Sequence, residues 1–194
     1  MEDKKEIWTA QKIQNILNFQ YICNPQYLIN NLYVFDWESD YLAMTRSGYF
    51  YEVEIKISKS DFKADFLKKE KHALISNTFN MHDIPHDGKY YKSTTAPNYF
   101  SYCVPEGLID IRDIPPYAGL LEIDRRHQIR CVRKPPKLHD NKILKSLEST
   151  LMNKFYYNYR SMLFERNDQL WNYKKRINEL ELEIKELKEK LKEK

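Results

Sequence analysis

Apolar and polar positions alternate in two runs that flank Thr45–Tyr49. Tyr41, Ala43, Tyr51, Val53, Ile55 and Ile57 fall on odd positions, while Glu38, Asp40, Glu52, Glu54, Lys56 and Ser58 fall on even ones. Side chains alternate faces along a strand, so the pattern predicts a hairpin with one apolar and one charged face. Gly48 can take positive φ at little cost, and a loop at 46–48 pairs Thr45 with Tyr49. Counting outward, Met44 opposes Phe50, Leu42 opposes Glu52, Asp40 opposes Glu54 and Glu38 opposes Lys56.

Helical spacing comes first in the chain. Ile7, Ala10, Ile13, Ile16 (or Leu17) and Phe19 recur at three- and four-residue steps and predict a helix over 4–22, broken by Asn24-Pro25. Leu32–Phe35 reads as a strand leading into the hairpin. After the hairpin, Ser58 or Ser60 caps a helix over about 60–72, with Phe62 and Phe66 on its apolar side. Residues 73–98 are polar and irregular, and the His82, Asp83, His86 and Asp87 within them read as loop polarity rather than a metal cluster. Tyr99–Val104 has the apolar run of a buried strand, Ile109–Ile114 a short helical turn, and Gly119–Ile123 and Gln128–Val132 two further strands. Lys134-Pro135-Pro136-Lys137 marks a linker.

From Asp140 onward there is neither Pro nor Gly, and Leu170, Tyr173, Ile177, Leu180, Ile184, Leu187 and Leu191 step by alternating three and four. That is a heptad seam. The expected organisation is an α/β domain over 1–136 and a helical segment over 140–194. Its coiled coil at 165–194 would form a homodimer or hold a protein partner.

Composition narrows the picture. The net charge of +4 is too small to argue for nucleic-acid binding in bulk, so any such contact rests on local patches. Three Cys with no Cys-x-x-Cys argue against a disulfide framework or a zinc site. No apolar run approaches the roughly 20 residues that span a bilayer, and Met1–Glu6 is not a signal sequence, so a cytoplasmic, reducing location is expected.

The charged hairpin face carries the candidate chemistry. Opposed residues hold their Cβ atoms roughly 4.5–5.5 Å apart, where like charges destabilise the pairing. Asp40, Glu52 and Glu54 on one patch therefore call for a divalent cation, and Mg²⁺ takes oxygen ligands of this kind. The helix that follows is crowded with Lys59, Lys63, Lys68, Lys69 and Lys71; Lys59, Lys63 and Lys69 are the expected contacts to a phosphate backbone.

Asp40 followed by Glu54-Ile55-Lys56 resembles the PD-(D/E)XK nuclease superfamily. The longer string Trp37-Glu38-Ser39-Asp40 with Glu52-Val53-Glu54-Ile55-Lys56-Ile57-Ser58-Lys59-Ser60-Asp61-Phe62 is similar to its MmcB-like branch. The likeness continues through Pro97–Phe100 and Val104–Ile109 and covers roughly residues 30–125; Ser39 stands where the superfamily has Pro. The resemblance implies a restriction-endonuclease-like mixed sheet flanked by helices and a metal-dependent DNA nuclease. It implies Asp40, Glu54 and the Ile55 carbonyl as ligands of Mg²⁺ (or Mn²⁺), with Lys56 orienting water and stabilising charge. Glu38 would tune Lys56 or hold a second ion, and Glu6 is a further acidic candidate on the first helix. The alternative is a non-catalytic adaptor that keeps the fold and works through its coiled coil.

Overall fold

The computed structural model describes residues 7–20, 23–35, 37–81, 96–142 and 145–192. The sheet has six strands side by side in chain order: β1 (Pro25–Tyr33), β2 (Glu38–Thr45), β3 (Phe50–Ile55), β4 (Tyr99–Pro105), β5 (Gly119–Ile123) and β6 (Ile129–Arg133). The first three form an antiparallel meander, β4 runs parallel to β3 and β5 to β4, and β6 returns antiparallel. A mixed α/β sheet flanked by helices and followed by a long C-terminal helix is therefore the architecture.

The hairpin has the expected register, with Tyr41↔Val53, Leu42↔Glu52, Ala43↔Tyr51 and Met44↔Phe50. Thr45 N–H donates to the Tyr49 carbonyl (2.9 Å), and Gly48 sits at φ 83°. Its odd-numbered face packs on helix α1 (Ala10–Phe19): Ile13 and Leu17 join Tyr41, Ala43, Val53, Ile55, Cys103, Leu121 and Ile123 in one core. This helix is shorter than the spacing predicts because Thr9 caps it, its hydroxyl accepting from Lys12 N–H. Residues 1–6, Glu6 among them, lie outside the described residues.

Strand β1 starts earlier than Leu32 because pairing to β2, not apolar alternation, extends it back through Asn30 to Pro25. The helix expected over 60–72 is two helices, α2 (Lys59–Asp65) and α3 (Lys69–Met81), divided by tight turns in which Leu67 N–H donates to Ala64 and Lys68 N–H to Asp65. Part of the stretch that reads as irregular is thus helical. Asn77, Thr78 and Asn80 have weak helix propensity, but the completely buried Ile75 anchors the helix from within. His82, Asp83, His86 and Asp87 lie outside the described residues.

Together α2 and α3 cover the even-numbered face, where the Phe62 ring meets Tyr102 at 5.0 Å. The short turn expected at 109–114 is a 3-10 turn at Ile111–Asp113. The proline segment does not end the first unit. Leu138 is fully buried, and the buried Asn98 side chain donates to the carbonyls of His139 and Asn141 while accepting from Phe50 N–H. Met1–Lys145 forms one compact unit; Ser146–Lys194 forms a second, built on helix α4 (Lys145–Lys192). Among the described residues no helix is long and apolar enough to cross a membrane, and Cys23, Cys103 and Cys131 are free thiols.

Candidate active site

The β2–β3 ladder ends at Tyr41↔Val53, while β2 continues alongside β1 as far as Glu38↔Tyr33. The two strands fork there. Ile55 N–H, left without a ladder partner on β2, donates instead to the Asp40 carboxylate at 2.7 Å. Asp40 is thereby held half-buried beside the end of β3, where Glu54, Ile55 and Lys56 follow one another. Because the ladder stops at Tyr41↔Val53, neither of the expected pairings of Asp40 with Glu54 and of Glu38 with Lys56 is formed. Glu38 is exposed and aligned with Tyr33, and Lys56 makes its ion pairs with Glu54 (2.9 Å), Asp65 (3.1 Å) and Asp61 (3.9 Å).

The charged face is not open to solvent. Glu52, Glu54 and Lys56 are 1%, 2% and 5% exposed beneath α2 and α3. Burying so many charges is tolerable only when each finds a partner, and the two helices supply them. Lys71 bridges Glu52 (3.0 Å) and Glu54 (2.8 Å), and Lys68 reaches Glu54 (2.9 Å) and Asp65 (3.1 Å). The His72 ring joins Asp65 to the Tyr117 hydroxyl, and Tyr102 O–H donates to Asp65 at 2.9 Å. Trp37 Nε1–H donates to Glu52 at 2.8 Å, so two residues of the sequence string meet directly.

Protonation follows from these contacts. Burial, and next the charge of Glu54, push Asp40 up to about 6. Burial alone would raise Glu54, but Lys71 and Lys56 more than reverse it and hold that carboxyl below its ordinary range. Burial would likewise raise Asp65, yet the His72 hydrogen bond and the charges of Lys56, Lys71 and Lys68 hold it far below. Glu52 is raised, because burial outweighs Lys71.

A depressed carboxyl stabilises the fold above its unfolded value and loses that contribution as pH falls. Asp65→Asn is therefore expected to lower stability at neutral pH and to flatten the loss of stability below about pH 4. Urea unfolding of both proteins from pH 7 to pH 2.5 checks this; parallel curves would count against the assigned pairing.

Asp40 and Glu54 are oxygen donors of the type that Mg²⁺ takes. With all groups ionised, the carboxylates Asp40, Glu52, Glu54, Asp61 and Asp65 face the ammoniums Lys56, Lys68 and Lys71, so negative charge is in excess. No ammonium among the described residues lies within ion-pair distance of Asp40, so part of the surplus sits there. A carboxylate offers about four acceptor sites; Glu54 spends three of them on lysines, and the Lys68 side chain is half exposed. Mg²⁺ is commonly held by one or two carboxylates and otherwise keeps its waters. Among the described residues no group of three or more His, Cys, Asp or Glu is placed to hold a metal ion.

Asp40, Glu54, Ile55 and Lys56 are thus brought together, and Glu38 is not. Lys59, Lys63 and Lys69 are exposed on α2 and α3, while their neighbours Lys68 and Lys71 turn inward to Glu54. Asp65, His72, Tyr102 and Tyr117 complete the network without being marked by the motif. The i, i+3 and i, i+4 spacing of Lys68, Lys71 and His72 was the available signal for one shared helical face.

No family model and no curated protein matches the chain. Among solved structures it is similar to the SPO1766 protein of unknown function from Silicibacter pomeroyi. That match has 18% identity and a TM-score of 0.46, and covers 70% of this chain and 75% of the other.

Proposed function

We propose that the chain is a metal-dependent nuclease of the PD-(D/E)XK type that hydrolyses DNA phosphodiester bonds, with Mg²⁺ as its cofactor. The observation that carries the reading is the fork. It seats the Asp40 carboxylate on Ile55 N–H at 2.7 Å, beside Glu54 and the Lys56 ammonium. Asp40, Glu54 and the Ile55 carbonyl would hold the ion. When bound, such an ion supplies Lewis-acid stabilisation and lowers the pKa of a water. Lys56 donates toward the charge that develops on the phosphate oxygens. Asp65, itself fixed by His72 and Tyr102, holds the Lys56 ammonium in place. Lys59, Lys63 and Lys69 face solvent, where phosphates of the strand would be met.

One observation favours a second reading. Three ammoniums already satisfy Glu54, as expected of a nuclease-fold module that binds DNA without cutting it. Supercoiled plasmid incubated with the full chain separates the two. The nuclease reading expects nicking that requires Mg²⁺ or Mn²⁺ and stops with EDTA. Retarded but intact plasmid, with no calorimetric uptake of Mg²⁺ in the presence of DNA, would establish the binding module instead.

A further inference from the structure

Helix α4 displays one line of apolar side chains to solvent. Leu170, Tyr173, Ile177, Leu180, Ile184, Leu187 and Leu191 are between 40% and 80% exposed. A stripe of this length is stable in water only when something covers it. We infer that a second copy of this chain covers it, aligned parallel and in register as a two-stranded coiled coil from Leu170 to Leu191.

The seam itself argues for two strands. Written as heptads, Leu170, Ile177, Ile184 and Leu191 occupy the a positions, and Tyr173, Leu180 and Leu187 the d positions. β-Branched residues at a with Leu at d favour parallel dimers over higher assemblies. The consecutive layers Ile177, Leu180, Ile184 and Leu187 follow that rule without exception.

The flanking charges decide the partner. The e positions hold Lys174, Glu181 and Lys188, and the g positions hold Arg176, Glu183 and Lys190. In a parallel pair each g residue meets the e residue five places further along the second copy. Arg176 then meets Glu181 and Glu183 meets Lys188, each twice by the two-fold symmetry, and every contact is attractive. An antiparallel pair with the same layers brings Lys174 to Lys188, Arg176 to Lys190, Glu181 to Glu181 and Glu183 to Glu183. All of these are repulsive. Moved by one heptad, an antiparallel pair seats Leu170 on Leu187, Tyr173 on Ile184 and Ile177 on Leu180 and brings Lys174 to Glu181 and Arg176 to Glu183, so the charges make the stripe complementary to itself and the β-branched a and Leu d layers give the parallel direction. Upstream the seam closes at Arg166, whose d position would set two guanidiniums face to face.

Light scattering on the full chain is expected to give twice the 23.5 kDa chain mass. Glu181→Lys with Glu183→Lys turns all four attractive contacts repulsive and is expected to raise the dimer dissociation constant roughly a hundredfold. Adding Arg176→Glu and Lys188→Glu reverses the opposite partners and restores the dimer. The second variant also guards against a trivial loss of folding in the first. A monomeric wild type at the highest soluble concentration, a mass above the dimer, or a dimer indifferent to the first pair of substitutions would overturn the assignment. Failure of the second pair of substitutions to restore the dimer would be the antiparallel signature, because Lys174 would then still meet a lysine at position 181.

Discussion

Lys71→Met is expected to destabilise the first unit by about 3–5 kcal/mol, the range for breaking a buried ion pair from one side. The Lys71 ammonium lies between Glu52 and Glu54 and above the faces of Phe100 (4.9 Å) and Trp37 (5.5 Å), so it is surrounded by carboxylates and rings. Burial would lower its pKa, but Glu52 and Glu54 more than reverse that and keep it charged. Met matches the stem and removes only the charge. Glu52 would then be buried with Oε2 already lacking a partner and Oε1 left with Trp37 alone.

The cheapest escape is protonation of Glu52, whose pKa burial already raises. The sign follows. Without Lys71 the folded state binds more protons than the unfolded chain above about pH 4, so the variant gains stability as pH falls toward that value. Urea unfolding at pH 8 and pH 5 should show the larger deficit at pH 8. Adding Glu52→Gln should recover part of it at pH 8, because the amide carries no charge to strand. A Lys71→Met protein within about 1 kcal/mol of wild type at pH 8 would mean that the ammonium is not buried as described.

The same residues show what the sequence could and could not disclose. Alternation fixes which side chains share a face, and from Gly48 the register of the hairpin follows by counting. Tyr41↔Val53 and Met44↔Phe50 were therefore legible. Counting assumes that the ladder continues, and here it forks. Strand β2 keeps β1 as its partner and gives up β3, so Asp40 becomes a cap for Ile55 N–H and Glu38 is carried away from Lys56.

The charged face misled for a different reason. A polar period-two face ordinarily faces water, and nothing local shows that two helices close over it. The covering side chains, Lys68, Lys71 and His72, look in sequence like any other members of a lysine-rich helix. What separates Lys63 from them is the break after Asp65, and Lys69 differs from Lys71 because residues two places apart on a helix do not share a face. Such a break is set by tertiary contacts such as Phe62 on Tyr102, not by propensity. Asn98 is similar: one buried amide ties the proline segment to β3, a role that composition cannot announce.

Asp40→Asn should separate stability from activity, moving them in opposite directions. The asparagine oxygen can still accept from Ile55 N–H, so the cap at the fork survives. What disappears is the one carboxylate of the cluster without an ammonium on it. Its folded pKa is raised to about 6, so the folded state holds that proton more tightly than the unfolded chain does. Stability therefore falls as pH rises from about 4 through 6, and by pH 7 the ionised group is a cost to the fold. The variant should melt higher than wild type at pH 7 in EDTA, and the gap should close below about pH 4, where both side chains are neutral. Cleavage should fall by at least about a hundredfold, since even outer partners of metal ligands cost up to that much. Lys56→Met should lose activity on a similar scale, about 10²–10³-fold. It should also lose stability, because Glu54 and Asp65 both lean on that ammonium. A functional carboxylate kept at the expense of the fold is the pattern of a site under a stability–activity trade-off. If Asp40→Asn instead melts lower in EDTA while plasmid nicking is unchanged, Asp40 is a structural cap and the ion has to be sought elsewhere in the molecule.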